Sequence, residues 1–386
     1  RFIPDRSFHN LCIRIHRIFF DALMIQCGVN IVLQNALSAI LGGTSKLKIG
    51  IIGRPQSGKS TLFELLTNHQ AGSGNKTQVA VGKVPDPRIE ELTEMHHPRK
   101  VTYATIDFWD VPGFLPGQNT GGFLQSVSDV DALVVVVRAF ESDIVPSYNG
   151  IQPYGDFNDI QQELLVADWS LLETRLERIA KQRMKNPQAA EELGLLEKCQ
   201  ATLEQDVPLR QLDLDEEEEK RLRTYDFLTR KPLIVAVNLD EEQMRSNSYP
   251  QQEELQSELA RLNLPLIKVS AQIENEIKEL DEDDAHLFLE ELGLIDTGIA
   301  RLARTVYEHL GLMSFFTVGE DEVRAWTIKI GTAARKAAGK IHSDIERGFI
   351  RAEVVSYEDL LECGNSQAVK EKGRFRLEGK EYIVQD

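Results

Sequence analysis

The sequence has few cysteines and none of the patterns that hold a metal through them. Its four thiols, at positions 12, 27, 199 and 363, lie far apart and show no metal-ligand spacing. It also lacks an uninterrupted apolar run long enough to span a membrane, and it contains no internal repeat. These absences are typical of a protein in a reducing compartment, so the expected location is the cytoplasm, without membrane association.

Basic charge is also scarce, because 44 Lys and Arg residues face 61 Asp and Glu residues, giving a formal net charge of −17. Such a charge excludes nonspecific adhesion to nucleic acid over the whole surface. We therefore expect no sequence-specific DNA partner, and any RNA contact must use a local basic patch. A monomer is the expected state.

Residues 1–46 differ in charge from the rest of the chain. They contain five basic residues and two acidic residues, a net charge of +3 in an acidic protein. A targeting peptide is one interpretation, since such peptides are basic and poor in acids. We favour the alternative, an N-terminal extension that has no role in the fold.

A glycine-rich motif follows the first buried strand. The apolar run 47–52 precedes Gly53, four further residues, and then Gly58, Lys59 and Ser60, after which an apolar helix begins. This is the strand–loop–helix setting of a phosphate-binding loop, in which backbone N–H groups and a helix N-terminus bind phosphate oxygens. Lys59 is expected to reach the β- and γ-phosphates, and the Ser60 hydroxyl to bind Mg²⁺. The predicted phosphate-contacting residues are Arg54, Pro55, Gln56, Ser57, Gly58, Lys59, Ser60 and Thr61.

A second motif, Asp110-Val-Pro-Gly113, lies at the end of a predicted strand 50 residues after Ser60. At this spacing Asp110 is predicted to be the second Mg²⁺ anchor. The Gly113 N–H is predicted to sense the γ-phosphate, so that Lys59 and Gly113 form the predicted catalytic pair.

Apolar runs at 133–137, 232–237 and 265–269 predict further strands, which alternate with helical stretches. This alternation predicts an α/β doubly wound domain with a parallel sheet. Residues 156–225 interrupt it and predict an inserted helical hairpin. From about residue 311 the pattern changes to a compact mixed α/β module that carries a cluster of basic residues, namely Arg324, Lys329, Arg335, Lys336, Lys340, Arg347 and Arg351.

From Leu47 to the end, the chain resembles the YchF group of Obg-like ATPases. The motifs that carry the resemblance lie at 84–88, 110–113, 195–199, 227–232, 273–280, 289–294, 322–328, 337–344 and 348–352. The resemblance implies a P-loop nucleotide domain at 47–155 and 226–310, a coiled helical arm at 156–225, and a TGS domain at 311–386 whose last strand is missing. Residues 1–46 lie outside this family fold. It also implies association with the ribosome, which we expect to involve the large subunit and its RNA.

The base-reading motif is altered relative to GTPases of this fold. Where GTPases have Asn-Lys-x-Asp, this chain has Asn238-Leu239-Asp-Glu241. The resemblance therefore implies a preference for ATP, with Asn238 bracing the loop and Ser270-Ala271 closing over the base. A GTPase of the same fold remains an alternative.

Several positions depart from the expected pattern. Phe114 stands where Ras-type GTPases place a water-orienting glutamine, so hydrolysis is expected to be slow. Gln56 replaces the usual asparagine, which leaves potassium dependence open. The switch segment around Asn75 is short, with Thr77 as a candidate third Mg²⁺ ligand, and no histidine occurs at 144–148. A nucleotide-binding switch that does not hydrolyse ATP is therefore a second alternative.

Overall fold

The computed structural model describes residues 22–26, 29–33, 47–70, 72, 76–113, 115, 121–142, 150–182 and 187–386. They divide into two compact units. The phosphate-loop unit comprises residues 47–82 and 106–306, and the C-terminal unit comprises residues 83–105 and 307–386 together with the described residues before 47. Within the described ranges, no helix combines the length and the apolar character that a membrane crossing requires.

The strands that the structure describes form two sheets. They are β1 (Ala22–Gln26), β2 (Val29–Leu33), β3 (Lys48–Gly53), β4 (Gln78–Lys83), β5 (Lys100–Thr102), β6 (Thr105–Asp110), β7 (Ala132–Arg138), β8 (Leu233–Asn238), β9 (Leu266–Val269), β10 (Leu312–Thr317), β11 (Glu322–Lys329), β12 (Arg351–Ser356) and β13 (Arg376–Gly379).

The α-helices of the described residues vary widely in length. They are α1 (Lys59–Thr67), α2 (Pro87–His96), α3 (Gly121–Ser128), α4 (Pro153–Gln182), α5 (Pro187–Leu203), α6 (Glu216–Leu222), α7 (Glu241–Ser246), α8 (Gln252–Arg261), α9 (Ala271–Glu279), α10 (Glu282–Glu291), α11 (Gly298–His309), α12 (Ala334–Ile341), α13 (Ser343–Gly348), α14 (Tyr357–Cys363) and α15 (Ser366–Glu371).

The phosphate-loop unit is built on a six-stranded sheet with the order β4-β6-β3-β7-β8-β9. The registers of β3 with β6 and β7, and of β8 with β7 and β9, are parallel. Every residue of β7 and β8 is buried, as expected for strands covered on both faces. The predicted α/β doubly wound fold is confirmed. Since β6 and β7 flank β3, the chain order reverses at β3, and ligands of such sheets bind beside the carboxyl end of that strand.

The inserted segment contains the predicted helical hairpin, but its first helix begins earlier than the sequence analysis placed it. Helix α4 is continuous over 30 residues from Pro153. Its first turns bury Phe157, Ile160 and Leu164 in the core of the sheet. Its later turns bury Leu172 and Ile179 in a separate cluster with residues of α5. One helix therefore belongs both to the core of the phosphate-loop unit and to the arm.

The acidic run at 215–219 lies at the start of α6, with Asp215 as the N-cap residue. Asp215 accepts hydrogen bonds from the backbone N–H groups of Glu217 and Glu218, and the Glu218 side chain returns to the Asp215 N–H. This capping box satisfies the free donors at the helix start, and the acids face the positive end of the helix dipole. The run is thus a helix start.

The C-terminal unit differs from the predicted domain in its extent. Its seven-stranded sheet has the order β13-β12-β2-β1-β10-β11-β5. Residues 83–105 belong to this unit, although the sequence analysis assigned them to the nucleotide domain, because β5 pairs in parallel with β11, with Lys100 opposite Glu322. No local pattern could indicate this pairing, since β5 has only three residues and its partner is more than 200 residues away.

The N-terminal segment also differs from expectation. We expected residues 1–46 to lie outside the fold, whereas 22–26 and 29–33 form the antiparallel pair β1–β2. Strand β1 pairs with β10 and with β12, so the pair lies within the sheet. The sequence did not suggest this, because a five-residue apolar strand has no periodicity that separates it from a short helix. The other residues of 1–46 lie outside the described residues.

Candidate functional site

The phosphate loop connects β3 directly to α1. Gly53 ends the strand, and an added Cβ there would lie 2.6 Å from the carbonyl oxygen of Val136. Gly58 caps the helix with φ 91°. A Cβ on Gly58 would lie 2.1 Å from Nδ2 of Asn238. Both glycines are therefore required, the first by a close approach of backbones and the second by its left-handed conformation and by the amide packed against it.

The three residues predicted to act on phosphate and metal converge at the end of β6. Ser60 Oγ donates a 2.7 Å hydrogen bond to Oδ2 of Asp110, and Lys59 Nζ lies 3.7 Å from Oδ1 of Asp110. Asp110 is buried, and its Oδ1 accepts no hydrogen bond from any residue in the described part of the chain. A buried carboxylate oxygen with a free lone pair, next to a hydroxyl, is a suitable oxygen donor set for Mg²⁺. The residues present therefore fit this ion.

Gly113 lies against the phosphate loop. A Cβ placed on Gly113 would be 3.0 Å from the backbone nitrogen of Pro55, which is tighter than an ordinary contact. The absence of a side chain thus allows the chain after β6 to approach the loop. This position is compatible with the predicted γ-phosphate contact. Phe114, which follows, lies outside the described residues.

Asn238 joins the phosphate loop to the loop predicted to cover the base. Its Nδ2 donates a 3.1 Å hydrogen bond to the carbonyl of Ser57, and its Oδ1 accepts a 3.0 Å bond from the N–H of Ala271. Ser270 caps the following helix by accepting a bond from the N–H of Ile273. A single buried amide at the end of β8 therefore fixes both loops.

The remaining base-site residues have different environments. Leu239 is buried in the core of the unit. Glu241 is the first residue of α7 and forms an ion pair with Arg245 over 2.8 Å. The structure thus places Leu239 in the apolar core and Glu241 in a surface pair along its own helix.

Thr77 and Gln56 are two further residues of the predicted site. The Thr77 hydroxyl is hydrogen-bonded to Ser126 over 2.8 Å, so the structure gives this predicted metal ligand another partner. Gln56 adopts a left-handed conformation with φ 64° within the loop. Asn75 and residues 144–148, which carry the predicted switch and the position without a histidine, lie outside the described residues.

The Arg54 side chain has contacts that the sequence does not predict. Arg54 was expected to contact phosphate, and the structure directs its guanidinium to Asp156 and Asp159 in the first turns of α4. Only the strand–loop–helix motif was visible in the sequence. A pairing across more than 100 residues has no local signal.

A P-loop, a parallel doubly wound sheet and a Ser–Asp pair beside the loop together define a P-loop protein with the GTPase type of α/β fold. Two family models match the chain: one described as 50S ribosome-binding GTPase covers residues 48–168, and the C-terminal YchF GTPase model, described as a protein of unknown function, covers residues 312–386. The chain belongs to the YchF family.

Three relatives illustrate this similarity. The ribosome-binding ATPase YchF of Bacillus subtilis (strain 168) is 40% identical over 354 residues, covering 88% of this chain and 97% of that protein. The protein of the same name from Escherichia coli O157:H7 is 38% identical over 352 residues, covering 88% and 96%. The solved structure of the Schizosaccharomyces pombe YchF GTPase matches with a TM-score of 0.80 and 30% identity, covering 89% of this chain and 97% of the other.

Proposed function

We propose that this protein is a P-loop ATPase that binds Mg²⁺ and ATP, hydrolyses ATP slowly to ADP, and binds the ribosome according to its nucleotide state. The observation that carries the proposal is the convergence of Lys59, Ser60 and Asp110, with one buried Asp110 oxygen free to accept a ligand. Arrangements of this kind serve phosphoryl transfer through positioning and charge stabilisation.

Each residue of the site has a part in this proposal. Backbone N–H groups of the loop from Arg54 to Thr61, other than at Pro55, which has none, hold phosphate oxygens, and Lys59 provides a positive charge for the β- and γ-phosphates. Ser60 and Asp110 would hold Mg²⁺, which neutralises phosphate charge when bound. The Gly113 N–H orients the γ-phosphate. Hydrolysis is slow because Phe114 cannot orient water as a glutamine does.

The choice of nucleotide is a separate part of the proposal, and the names of the relatives differ on it. The bacterial relatives are called ATPases, whereas the S. pombe relative is called a GTPase. We propose ATP for this chain because Leu239 cannot supply the polar group of a lysine at this position. In addition, the Glu241 carboxylate is engaged by Arg245 at the surface.

We expect ATP to bind more tightly than GTP. Replacing Leu239 with lysine and Glu241 with aspartate should shift the preference toward GTP, because a site that hydrogen-bonds the base discriminates strongly once its groups are matched. The measurement is calorimetric titration of wild type and double variant with ATP and GTP. Equal dissociation constants for wild type would disprove the preference.

Single-turnover hydrolysis separates an ATPase from a switch that only binds nucleotide. P-loop enzymes without a partner turn over at about 10⁻⁴ to 10⁻² s⁻¹, and we expect a rate in or below that range. Bound ATP that shows no hydrolysis at all over several days would support the switch. Repeating the assay in sodium and in potassium buffers would determine the potassium dependence left open by Gln56.

The proposed ribosome partner follows from the names of the relatives, which describe ribosome-binding ATPases. We propose a large-subunit contact through RNA at the basic residues of α12, together with the helical arm at 156–225. Several cations near this helix are already engaged: Lys336 pairs with Glu346 over 2.7 Å, Arg335 Nε donates to the Glu346 carbonyl, and Arg347 contacts Asp344. These exposed pairs exchange readily for phosphate contacts, since each contributes little to stability.

We further propose that the protein is a monomer and that it is located in the cytoplasm.

Reversal of charge at Arg335, Lys336 and Lys340 to glutamate should weaken co-sedimentation with ribosomes. It should also flatten the dependence of binding on salt, since fewer phosphate contacts release fewer counterions. Nucleotide affinity should not change. A matched variant with Arg99, Arg261 and Lys278 reversed changes the same charge at exposed positions outside α12 and outside the arm. Undiminished co-sedimentation of the first variant would place the ribosome contact outside α12.

A further inference from the structure

Arg54 lies inside the phosphate loop, but its side chain leaves the loop. Its carbonyl accepts a 3.3 Å hydrogen bond from the Ser57 N–H and so helps to close the loop. Its guanidinium Nε lies 3.0 Å from Oδ1 of Asp156, and its Nη2 contacts Oδ2 of Asp159. Only 14% of the Arg54 side chain is exposed. One residue therefore contacts both the phosphate loop and the start of α4.

The two contacts of Arg54 differ in quality. The Asp159 contact is a hydrogen-bonded ion pair, whereas Nε of Arg54 makes no aligned hydrogen bond within the described residues. Asp156 also faces Arg138 at the end of β7. Burial raises the pKa of the Asp156 carboxyl, while Arg54 and then Arg138 lower it. Asp156 and Asp159 are three residues apart and share one face of the helix.

Helix α4 is suited to transmit a displacement at its first turns to the arm. Its 30 residues correspond to about 45 Å of helix at 1.5 Å per residue. No proline or glycine follows Gly155 within it, so it has no sequence cause for a kink. The same helix packs Phe157 in the sheet core and Leu172 in the arm core. A movement at its first turns is therefore carried into the arm.

We propose that Arg54 is a positioning residue that couples occupancy of the phosphate loop to the helical arm through Asp159 and Asp156. The proposal rests on the proposed function, because it requires a nucleotide in the loop. A bound triphosphate is anionic and competes with the two carboxylates for the Arg54 guanidinium. Nucleotide binding then weakens the attachment of α4 to the loop, and the arm helices open more often.

The test compares two variants of α4 in the full chain. Asp159→Asn removes the carboxylate that pairs with Arg54. Glu163→Gln makes the same change of charge one turn later, at a side chain that forms no ion pair within the described residues. For each protein, calorimetry gives the affinity for a non-hydrolysable ATP analogue with Mg²⁺, and amide hydrogen exchange of α4 and α5 is measured with and without the analogue.

In wild type and in Glu163→Gln, the analogue should speed exchange in α5 by about fivefold or more, the usual lower range of coupling between sites. Asp159→Asn should lose this nucleotide-dependent change while its affinity for the analogue stays within about threefold of wild type. Asp159→Glu, which retains the charge, should retain the change. A merely structural role of Asp159 would alter exchange equally with and without nucleotide.

The outcomes are distinguishable. Wild type that does not bind the analogue by calorimetry contradicts the proposed function, and the coupling with it. Binding without any change in α5 exchange overturns the coupling alone, and so does an equal change in Asp159→Asn and wild type. If Asp159→Asn does not fold, Asp156→Asn removes the other carboxylate and is judged by the same criteria.

Discussion

Replacing Lys59 with alanine should abolish useful nucleotide binding and turnover. The Lys59 ammonium lies 3.7 Å from Asp110 and 3.4 Å from Ser60, at the place where the β- and γ-phosphates are expected. A hydrogen bond to a charged group contributes about 1.5–3 kcal/mol, so losing it should weaken ATP binding by about 10- to 150-fold. The rate of hydrolysis should fall by a larger factor, because the lysine charge interacts more strongly with the transferred phosphoryl group in the transition state than in bound ATP. Titration calorimetry and single-turnover hydrolysis measure the two effects.

The control for this variant is Lys278→Ala, which removes an exposed lysine from the same unit. Thermal unfolding of both variants shows whether the fold is retained. Lys59→Ala that is folded and still binds ATP within a few-fold of wild type would contradict the assignment of the phosphate site.

Asp110→Asn should reduce the Mg²⁺ dependence of ATP binding, because a neutral amide is a poorer ligand for a hard cation than a carboxylate is.

The sequence predicted the parts of the site that depend on short spacing. Gly53, Gly58, Lys59 and Ser60 lie within one local motif, and Asp110 ends a strand whose alternation is visible. The structure brings Lys59, Ser60 and Asp110 together because parallel strands place their carboxyl ends at one edge. Local patterns and the topology of the sheet therefore sufficed for this part.

Contacts between distant segments could not be predicted in this way. The pairing of Arg54 with Asp159 spans 105 residues, and the pairing of β5 with β11 spans more than 200. Glu241 illustrates a different reason: its position in the motif suggested base recognition, but its place at the start of α7 also allows a pair with Arg245 one turn on. The geometry of the helix determines which of these two contacts Glu241 makes, and the sequence motif gives no information about that geometry.

A buried polar network where the arm joins the sheet was also invisible in the sequence. Asp168 of α4 accepts hydrogen bonds from the N–H groups of Leu228 and Thr229, at 2.7 and 2.8 Å, and from the Thr229 hydroxyl at 2.6 Å. Arg210 donates to the Thr229 carbonyl and to Gln161 over 3.1 and 2.9 Å. This network joins α4 to the turn that precedes β8, the strand that ends at Asn238.

Asp168→Ala should destabilise the protein by about 3–5 kcal/mol, which is a large part of the stability of a typical domain. It leaves three buried donors without an acceptor and removes the negative charge that compensates the half-buried Arg210. Denaturant unfolding of the variant measures the effect. Glu173→Ala, an exposed substitution on the same helix, should change stability by no more than about 0.5 kcal/mol. A loss below about 1 kcal/mol for Asp168→Ala would show that water can replace the carboxylate.

The same residue should give the unfolding free energy a specific dependence on pH. Burial raises the pKa of Asp168 to about 6, although the three hydrogen bonds and the charge of Arg210 act to lower this pKa. The folded protein therefore holds this proton more tightly than the unfolded chain, whose carboxyl titrates near 3.8. The contribution of Asp168 to stability is thus complete below pH about 4 and declines as the pH rises toward about 6.

In Asp168→Asn this decline should be absent, so the difference in unfolding free energy between wild type and variant should narrow from pH 4 to pH 6. A difference that stays constant from pH 4 to 7 would show that Asp168 titrates at its ordinary value, with the hydrogen bonds from Leu228 and Thr229 offsetting its burial.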